Sequence, residues 1–411
     1  EAKRHLFYLK TFKTASSTIT SLIHRYILTH GLQAVILVKY PFPSFSIDEH
    51  LLQSVKGKAP EKYDVLADHV CYNKTSIREI LHADAFYVTS LRHPLDQIKS
   101  YFAEFHVADK LNITSEDPVR TYIEKFGLYE KKLKSKRRRK RPVVAGLPAI
   151  NAFQFGLEQK DLGNDSAVDD MIKVIDDDFK LVMITEYLDE SLLLFKRMVC
   201  WNMDDIIYRS LRKRNYKSKS VLYKSKLRSI YKNKTSADYK LYYHFLRKLW
   251  KTINQQDSTF WDELRVFRKI LLNVTAFCKV IEVALAKNVT NIFDFAGDLE
   301  TGEGRKVIDL NPSPFSPPFK VDAVQCAVMS LRTVVLNNII AVNQVPEICT
   351  SAKRQNIPFL SRISAGKGGA SFNSLYCTKI SKFYKVPFAV LVEKQSYMWS
   401  VEGVQPPSTN L

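Results

Sequence analysis

Apolar positions fall first in a continuous run at His5 to Leu9 (HLFYL) and then, after a polar stretch, at Ile19, Leu22, Ile23, Tyr26 and Ile27. The run predicts a buried strand and the later spacing an amphipathic helix, with Lys10 to Thr18 as the loop between them. The same alternation returns downstream. Tyr63 to Val70 reads as a strand and Ser76 to His82 as a short helix; Ala85 to Leu91 reads as a strand and Pro94 to Phe105 as a helix. Proline at the first helical position fits, because its missing N–H has no partner to lose there. Asp165 to Phe179 then predicts a helix, Leu181 to Thr185 a strand, and LLLFKRMVCW another helix. Strands that alternate with helices in this way predict an α/β fold: a central parallel sheet with flanking helices, binding ligands at the carboxyl ends of its strands.

Two further helices, Tyr239 to Ile253 and Phe260 to Ala286, carry aromatic stripes whose spacing assigns them to a core. Beyond Lys287 the pattern fades. Pro312 to Pro318 (PSPFSPP) reads as a linker or turn-rich segment, and the chain after it has no repeat and no clear period. The expected organisation is therefore a catalytic-sized domain over 1–286 and an extension of unknown role, an accessory module or a poorly ordered tail, over 287–411. Gly366-Lys-Gly-Gly-Ala-Ser371 lacks a preceding strand and the spacing of a phosphate loop, and reads as a flexible loop.

Charge changes the picture locally. The net charge is +20, of which Lys131 to Arg141 carries nine and Arg209 to Lys234 eleven, with no acidic residue in either stretch. The rest of the chain is balanced, which argues against a nucleic-acid binder and for two segments that face anions or solvent. Six cysteines are scattered without metal-type spacing, so no metal site is expected and disulfide pairing stays open. Six N-x-[ST] sequons, at Asn73, Asn112, Asn164, Asn233, Asn273 and Asn288, favour a secretory-pathway lumen. No apolar run is long enough to span a bilayer, and Glu1 opens the chain without a methionine or leader, so an N-terminal anchor is expected to have been removed or left out.

Three constellations carry chemistry. A loop ending at a helix N-terminus offers backbone N–H groups to a phosphate or sulfate. In the first, Lys13 adds a charge and Thr14, Ser16, Ser17 and Thr18 add hydroxyls, although a serine that only caps a surface helix gives the same string. In the second, Arg92 at a strand end and Ser100 in the next helix can converge on one phosphate, or Arg92 can make a surface ion pair. The third is His69, either a structural histidine or a base for a hydroxyl proton.

The string Lys10-Thr-Phe-Lys13-Thr-Ala-Ser-Ser-Thr18 resembles the KTHKTASST loop of the galactose 3-O-sulfotransferases, Golgi carbohydrate sulfotransferases that include the galactosylceramide enzyme. The resemblance implies a P-loop-like sulfotransferase fold and the donor PAPS (3′-phosphoadenosine 5′-phosphosulfate), with no metal. Lys10, Thr14, Ala15, Ser16, Ser17 and Thr18 would cradle the phosphosulfate, and Lys13 would sit at the bridging oxygen of the leaving phosphate. FYVTSLRHPLDQIKSYF is similar to FYFTILRNPVxxxESSF, which implies that Arg92 and Ser100 bind the 3′-phosphate. DVLADHVCYNK is similar to nHmrFNK and implies His69 as the catalytic base.

INAFQFGL resembles NxxxFDxGL, and LVMITEYLDESLLLFKRMVCWNMDDI resembles LVLLSEYFDESLVLLKDLLCWDLDDV, with Glu186 either touching the acceptor sugar or pairing with a neighbour. Arg212 and Arg214 would belong to a basic loop over the donor. Three departures stand out: Phe12 for the usual His, His93 for Asp or Asn, and Gln154 for Asp. By this resemblance the acceptor is the 3-hydroxyl of a terminal β-galactose on a glycolipid or glycoprotein, and the full-length form is a single-pass type II membrane protein of the Golgi lumen. Two alternatives remain: a heparan sulfate 2-O type enzyme using Lys131 to Arg141, or an inactive glycan-binding homologue in which Phe12 marks the lost site.

Overall fold

The computed structural model describes residues 1–36, 60–138, 149–209, 225–286 and 306–330, with a few further positions up to 344. Arg212, Arg214, the end of the first basic run and the 366–371 glycine-rich stretch lie outside the described residues. The chain divides into two compact units. One comprises the described residues of 1–23, 32–201 and 210–264, and the other those of 24–31, 202–209 and from 265 onward.

The first unit is built on a four-stranded parallel sheet. Strands β1 (Leu6–Leu9), β2 (Val65–Asp68), β3 (Phe86–Leu91) and β4 (Leu181–Ile184) lie in the order β2-β1-β3-β4, so β1 and β3 are central. Leu6 pairs with Val65 on one side and Phe86 on the other, and Val88 pairs with Leu181. Every residue of β1, β3 and β4 is buried, the signature of strands covered on both faces by helices. The α/β reading from alternating elements therefore holds. The observed β2 is shorter than the apolar run Tyr63 to Val70, because β1 offers only four residues for it to pair with.

Seven helices anticipated from sequence appear close to their expected bounds. They are α1 (Ser16–His30), α2 (Lys74–Ile80), α3 (Pro94–Phe105) and the helices over Asp165–Asp178, Leu188–Val199, Ser236–Asn254 and Thr259–Ala286. Pro94 sits in the first turn of α3 as its sequence requires, and Asn73 and Asn164 cap their helices through side-chain oxygens that accept backbone N–H groups. Not foreseen were three further helices, Val107–Leu111, Pro118–Glu124 and Phe126–Arg138, whose apolar faces close a core with α3. Phe12, Ile98, Tyr101, Tyr122 and Phe126 belong to that core. The first residues of the basic run are thus helical up to Arg138.

The second unit contains a four-residue helix, Met203–Ile206, closed by a capping box between Asn202 and Asp205. It also holds the later part of the long helix Thr259–Ala286 and an antiparallel hairpin of β5 (Val307–Leu310) and β6 (Phe319–Asp322). The proline-rich PSPFSPP segment forms the turn of that hairpin, with Ser313 and Ser316 bridged across it. A disulfide joins Cys278 to Cys326.

Candidate active site

The loop between β1 and α1 leaves the carboxyl end of a central strand and must turn sharply into a helix. It does so through two non-glycine residues in the left-handed region, Lys13 at φ 61° and Ala15 at φ 58°. Each costs about 1–2 kcal/mol for an L-residue. A left-handed residue beside a right-handed one is the backbone turn from which anion-binding nests are made. Ala15 ends the loop, its carbonyl accepting from the N–H of Thr18 at 2.9 Å and of Ile19 at 3.2 Å. The N–H groups of Ser16 and Ser17 then have no acceptor within the helix by its geometry, and they add the positive end of the helix dipole.

That strained backbone is clamped from outside. Gln154 accepts from the N–H of Phe12 at 2.8 Å and donates to the carbonyl of Lys10 at 3.0 Å, spanning the loop as a neighbouring strand would. Gln97, in α3, donates to the carbonyl of Phe12 at 2.8 Å and exchanges hydrogen bonds with Asn151 at 2.7 and 3.0 Å. Asn151 and Gln154 lie on the short helix Ile150–Gln154. Its N-terminus is capped by the buried Asp238, which accepts from the N–H groups of Asn151 and Ala152 at 3.2 and 2.8 Å. Burial raises the Asp238 carboxyl to about 6 despite those bonds. The sequence offered one signal for this clamp: INAFQFGL resembled a family segment, but no role attached to it.

Below the loop runs a buried hydroxyl chain. Thr14 pairs with Thr11 at 2.7 Å and with Ser90 at 2.8 Å, and Tyr8 reaches Ser90 at 2.8 Å. The Thr14 hydroxyl is therefore committed inside the protein, leaving its backbone N–H to offer an anion. Lys10 and Ser16 are buried, while Ala15, Ser17 and Thr18 are half-buried at the helix start.

Lys13 reaches Glu104 of α3 at 3.1 Å, and Arg92, at the end of β3, donates to the Lys13 carbonyl at 3.4 Å. Gln97, Ser100 and Glu104 are spaced three and four residues apart on α3 and so share one face. Because Gln97 touches Phe12 and Glu104 touches Lys13, the buried Ser100 between them faces the same loop.

His69 completes the group. It follows β2, is 8% exposed, and its Nδ1 lies 2.6 Å from the carbonyl of Lys10. A carbonyl only accepts, so Nδ1 carries the proton and Nε2 keeps its lone pair. Burial, reinforced by the charges of Lys10 and Lys13 against the opposing pull of that hydrogen bond, holds the imidazole well below the ordinary 6.5. It is a neutral ring of fixed tautomer. Phe12 stacks on it with centroids 4.3 Å apart and planes 19° from parallel, and is itself edged by Tyr101 and Phe105. Cys71, two residues on, is a thiol pushed up to about 11 by burial and is chemically quiet.

Glu186 follows β4. Its carboxylate accepts from the N–H of His93 at 2.9 Å and from the Tyr242 hydroxyl at 3.3 Å, holding the turn between β3 and α3. Desolvation of the carboxyl by the groups around it raises its pKa, although the residue as a whole is exposed. It lines a cleft of about 240 Å³ with His93, Asp96, Lys99, Arg228 and Tyr242. The ring of His93 meets Tyr239 and Tyr242 edge-on at 5.5 and 5.3 Å.

The sequence profile of the galactose-3-O-sulfotransferase family matches residues 1–295. Among curated proteins, galactose-3-O-sulfotransferase 2 of Mus musculus is 25% identical over 305 residues, covering 71% of this chain and 73% of its own length. Galactose-3-O-sulfotransferase 3 of the same species is 27% identical over 60% of this chain and 56% of its own length. Galactosylceramide sulfotransferase of Bos taurus is 25% identical over 62% and 58%. With a family match across most of its length and a parallel α/β core carrying the matched loop, the chain belongs to the galactose-3-O-sulfotransferase family, a family of carbohydrate sulfotransferases.

Proposed function

We propose that the protein transfers a sulfuryl group from PAPS to the 3-hydroxyl of a terminal β-galactose on a glycolipid or glycoprotein glycan. The observation that carries this reading is His69, a buried neutral imidazole whose tautomer is fixed by the carbonyl of Lys10, at the edge of the loop that presents Lys13. The acceptor hydroxyl gives its proton to Nε2 of His69 while its oxygen attacks sulfur. The bond from sulfur to the bridging oxygen breaks in line, and the electron pair leaves with the phosphate of the nucleotide. Lys13 and the N–H groups of Thr14, Ala15, Ser16 and Ser17 stabilise the charge that grows there. Arg92 and Ser100 hold the 3′-phosphate, and Glu186, at the cleft beside the tyrosines, contacts the acceptor.

We read the setting as the Golgi lumen, in a full-length form anchored by an N-terminal segment. In support, Asn73, Asn112, Asn164, Asn233 and Asn273 of the sequons are all exposed, and the Cys278–Cys326 disulfide suits an oxidising compartment. No described helix is long and apolar enough to cross a membrane. The test is transfer of radiolabelled sulfate from PAPS to terminal β-galactosides and to desulfated heparan, by wild type and Lys13→Ala. Label on galactose that depends on Lys13 supports the reading. Label on heparan replaces the acceptor, and no label on either with PAP still bound replaces enzyme by binding protein.

A further inference from the structure

A hydrogen bond at Nδ1 fixes the tautomer of an imidazole but leaves the ring free to swing about that bond. In His69 a second contact removes the freedom. The ring of Phe12 lies nearly flat against it, with centroids 4.3 Å apart and planes 19° from parallel. Phe12 is itself held in place, since Tyr101 and Phe105 of α3 meet it edge-on at 6.0 and 5.8 Å and it is 3% exposed. We propose that Phe12 is the positioning residue of His69. It holds the plane of the imidazole and covers one of its faces against water, so that Nε2 is offered uncharged and in one orientation. The inference rests on the reading of His69 as the base.

Backbone and side chain of Phe12 do separate work. Its N–H is held by Gln154 and its carbonyl by Gln97, both at 2.8 Å, and any residue except proline keeps both bonds. The side chain can therefore be changed without untying the donor loop. The charges that bear on His69 belong to other residues: Lys10 and Lys13 come from the loop, and Glu104 of α3 pairs with Lys13. Asp68, at the end of β2, accepts the backbone N–H of His69 at 2.7 Å, and the short helix Ile150–Gln154 brings the uncharged Gln154. None of these groups alters when the Phe12 ring is replaced, so a change in the titration of His69 reports the access of water to the imidazole. Burial is the largest of the effects that hold this imidazole below its ordinary 6.5, and taking away a covering ring relaxes it. A Phe12 that only fills the core would lower stability and leave that titration where it was.

The test follows His69 by heteronuclear NMR of the histidine-labelled full chain, its signals assigned as those lost in His69→Gln, beside sulfate transfer and PAP binding. In wild type the ring should carry its proton on Nδ1 and titrate well below 6.5. In Phe12→Leu the midpoint should rise by about one pH unit. The acid limb of kcat/KM should move up with it, kcat should fall by about 10- to 100-fold as the ring loses its orientation, and PAP affinity should stay unchanged. An unmoved midpoint and limb in folded Phe12→Leu overturn the positioning role and leave His69 as the base. A raised midpoint in a protein whose wild type transfers no sulfate supports the hold of Phe12 on the imidazole and overturns the transferase reading instead. If Phe12→Leu does not fold, Phe12→Met, which fills the space with a flexible chain and no ring, is read in the same way. In either case a wild-type ring that carries its proton on Nε2, or that titrates at 6.5 or above, is fatal to the proposal.

Discussion

The loops leaving β1 and β3 start from neighbouring central strands and both end in a helix, yet they are held in different ways. The β3 turn is short, and Pro94 fixes its helix while Glu186 ties the N–H of His93 from the adjacent strand end. Its conformation is ordinary, with no left-handed residue. The β1 loop adopts two left-handed positions without glycine and depends on Gln154, Gln97 and Asn151 to keep them. A loop with two left-handed positions and no glycine is not shaped for its own stability, so the rest of the fold supplies what its sequence lacks. The β1 side should accordingly be the more sensitive of the two, both in chemistry and in folding.

The largest effects belong to the two groups that meet at the β1 loop. Lys13→Ala and His69→Ala should each lower kcat by about 10²–10⁴-fold with the fold retained, measured as sulfate transfer beside a circular dichroism melt. Near-normal turnover in His69→Ala would remove it as the base. The pH profile gives a second reading of the same group. The base works as the neutral ring, and its pKa lies well below 6.5, so activity should hold as pH falls through 6.5 and drop only lower. A limb at 6.5 or above would point to another base.

Next comes the clamp. Gln154→Ala leaves the N–H of Phe12 and the carbonyl of Lys10 buried without these partners, a cost of about 1–3 kcal/mol in denaturant unfolding. Because the same loop is the proposed donor site, PAP affinity measured by calorimetry should fall with stability. Gln154→Glu tests the amide itself, since a carboxylate accepts from Phe12 but cannot donate to Lys10. Loss of stability with unchanged PAP affinity would separate the clamp from the anion site.

These residues also show where sequence reading reaches its limit. The four strands, α3 with its initial proline and the helix after β4 were legible because each is a local pattern whose burial agrees with its period. Lys13, Arg92 and His69 were singled out through the family strings around them, and the roles given to them are proposals. The clamp was not, since Gln154 is 142 residues from Phe12 and its amide gives no periodic signal. Glu104 was hidden for a related reason: one more charge on a helix looks like solvated surface until α3 is laid beside the loop. The helices over 107–138 escaped because each is too short or too charged for its stripe to stand out. Phe12 reads differently with the structure in hand. The ring that replaces the family histidine stacks on His69 and helps exclude water from it, which supports a working imidazole better than a lost site.

On the β3 side, effects should be smaller and separable. Arg92→Ala should weaken PAP binding by about 10-fold or more, as expected for a charged hydrogen-bond donor to phosphate, while the melting temperature changes little. Glu186→Ala removes the tie to His93 and should cost about 1 kcal/mol of stability. If PAP affinity follows Glu186 and not Arg92, the assignment of the 3′-phosphate to Arg92 is wrong.

The smallest expected effect is the most specific for how the loop holds its lysine before the donor arrives. Lys13 lies 3.1 Å from Glu104, with both side chains partly open to solvent, so the pair contributes at most about 1 kcal/mol. A donor that needs the Lys13 ammonium must compete with that carboxylate for it. Glu104→Gln keeps the shape and removes the competing charge, so it should leave the melting temperature within a degree or two and tighten PAP binding by roughly 2- to 5-fold, the range set by a pair of that strength. The gain should shrink as salt rises, because the pair is already screened there. It should vanish in the Lys13→Ala background, where there is no ammonium left to release. An equal gain with and without Lys13 would mean that Glu104 acts on the nucleotide by plain repulsion. Weaker binding would mean that the pair positions Lys13 for the donor, so that α3 prepares the β1 loop for its ligand instead of holding it in reserve.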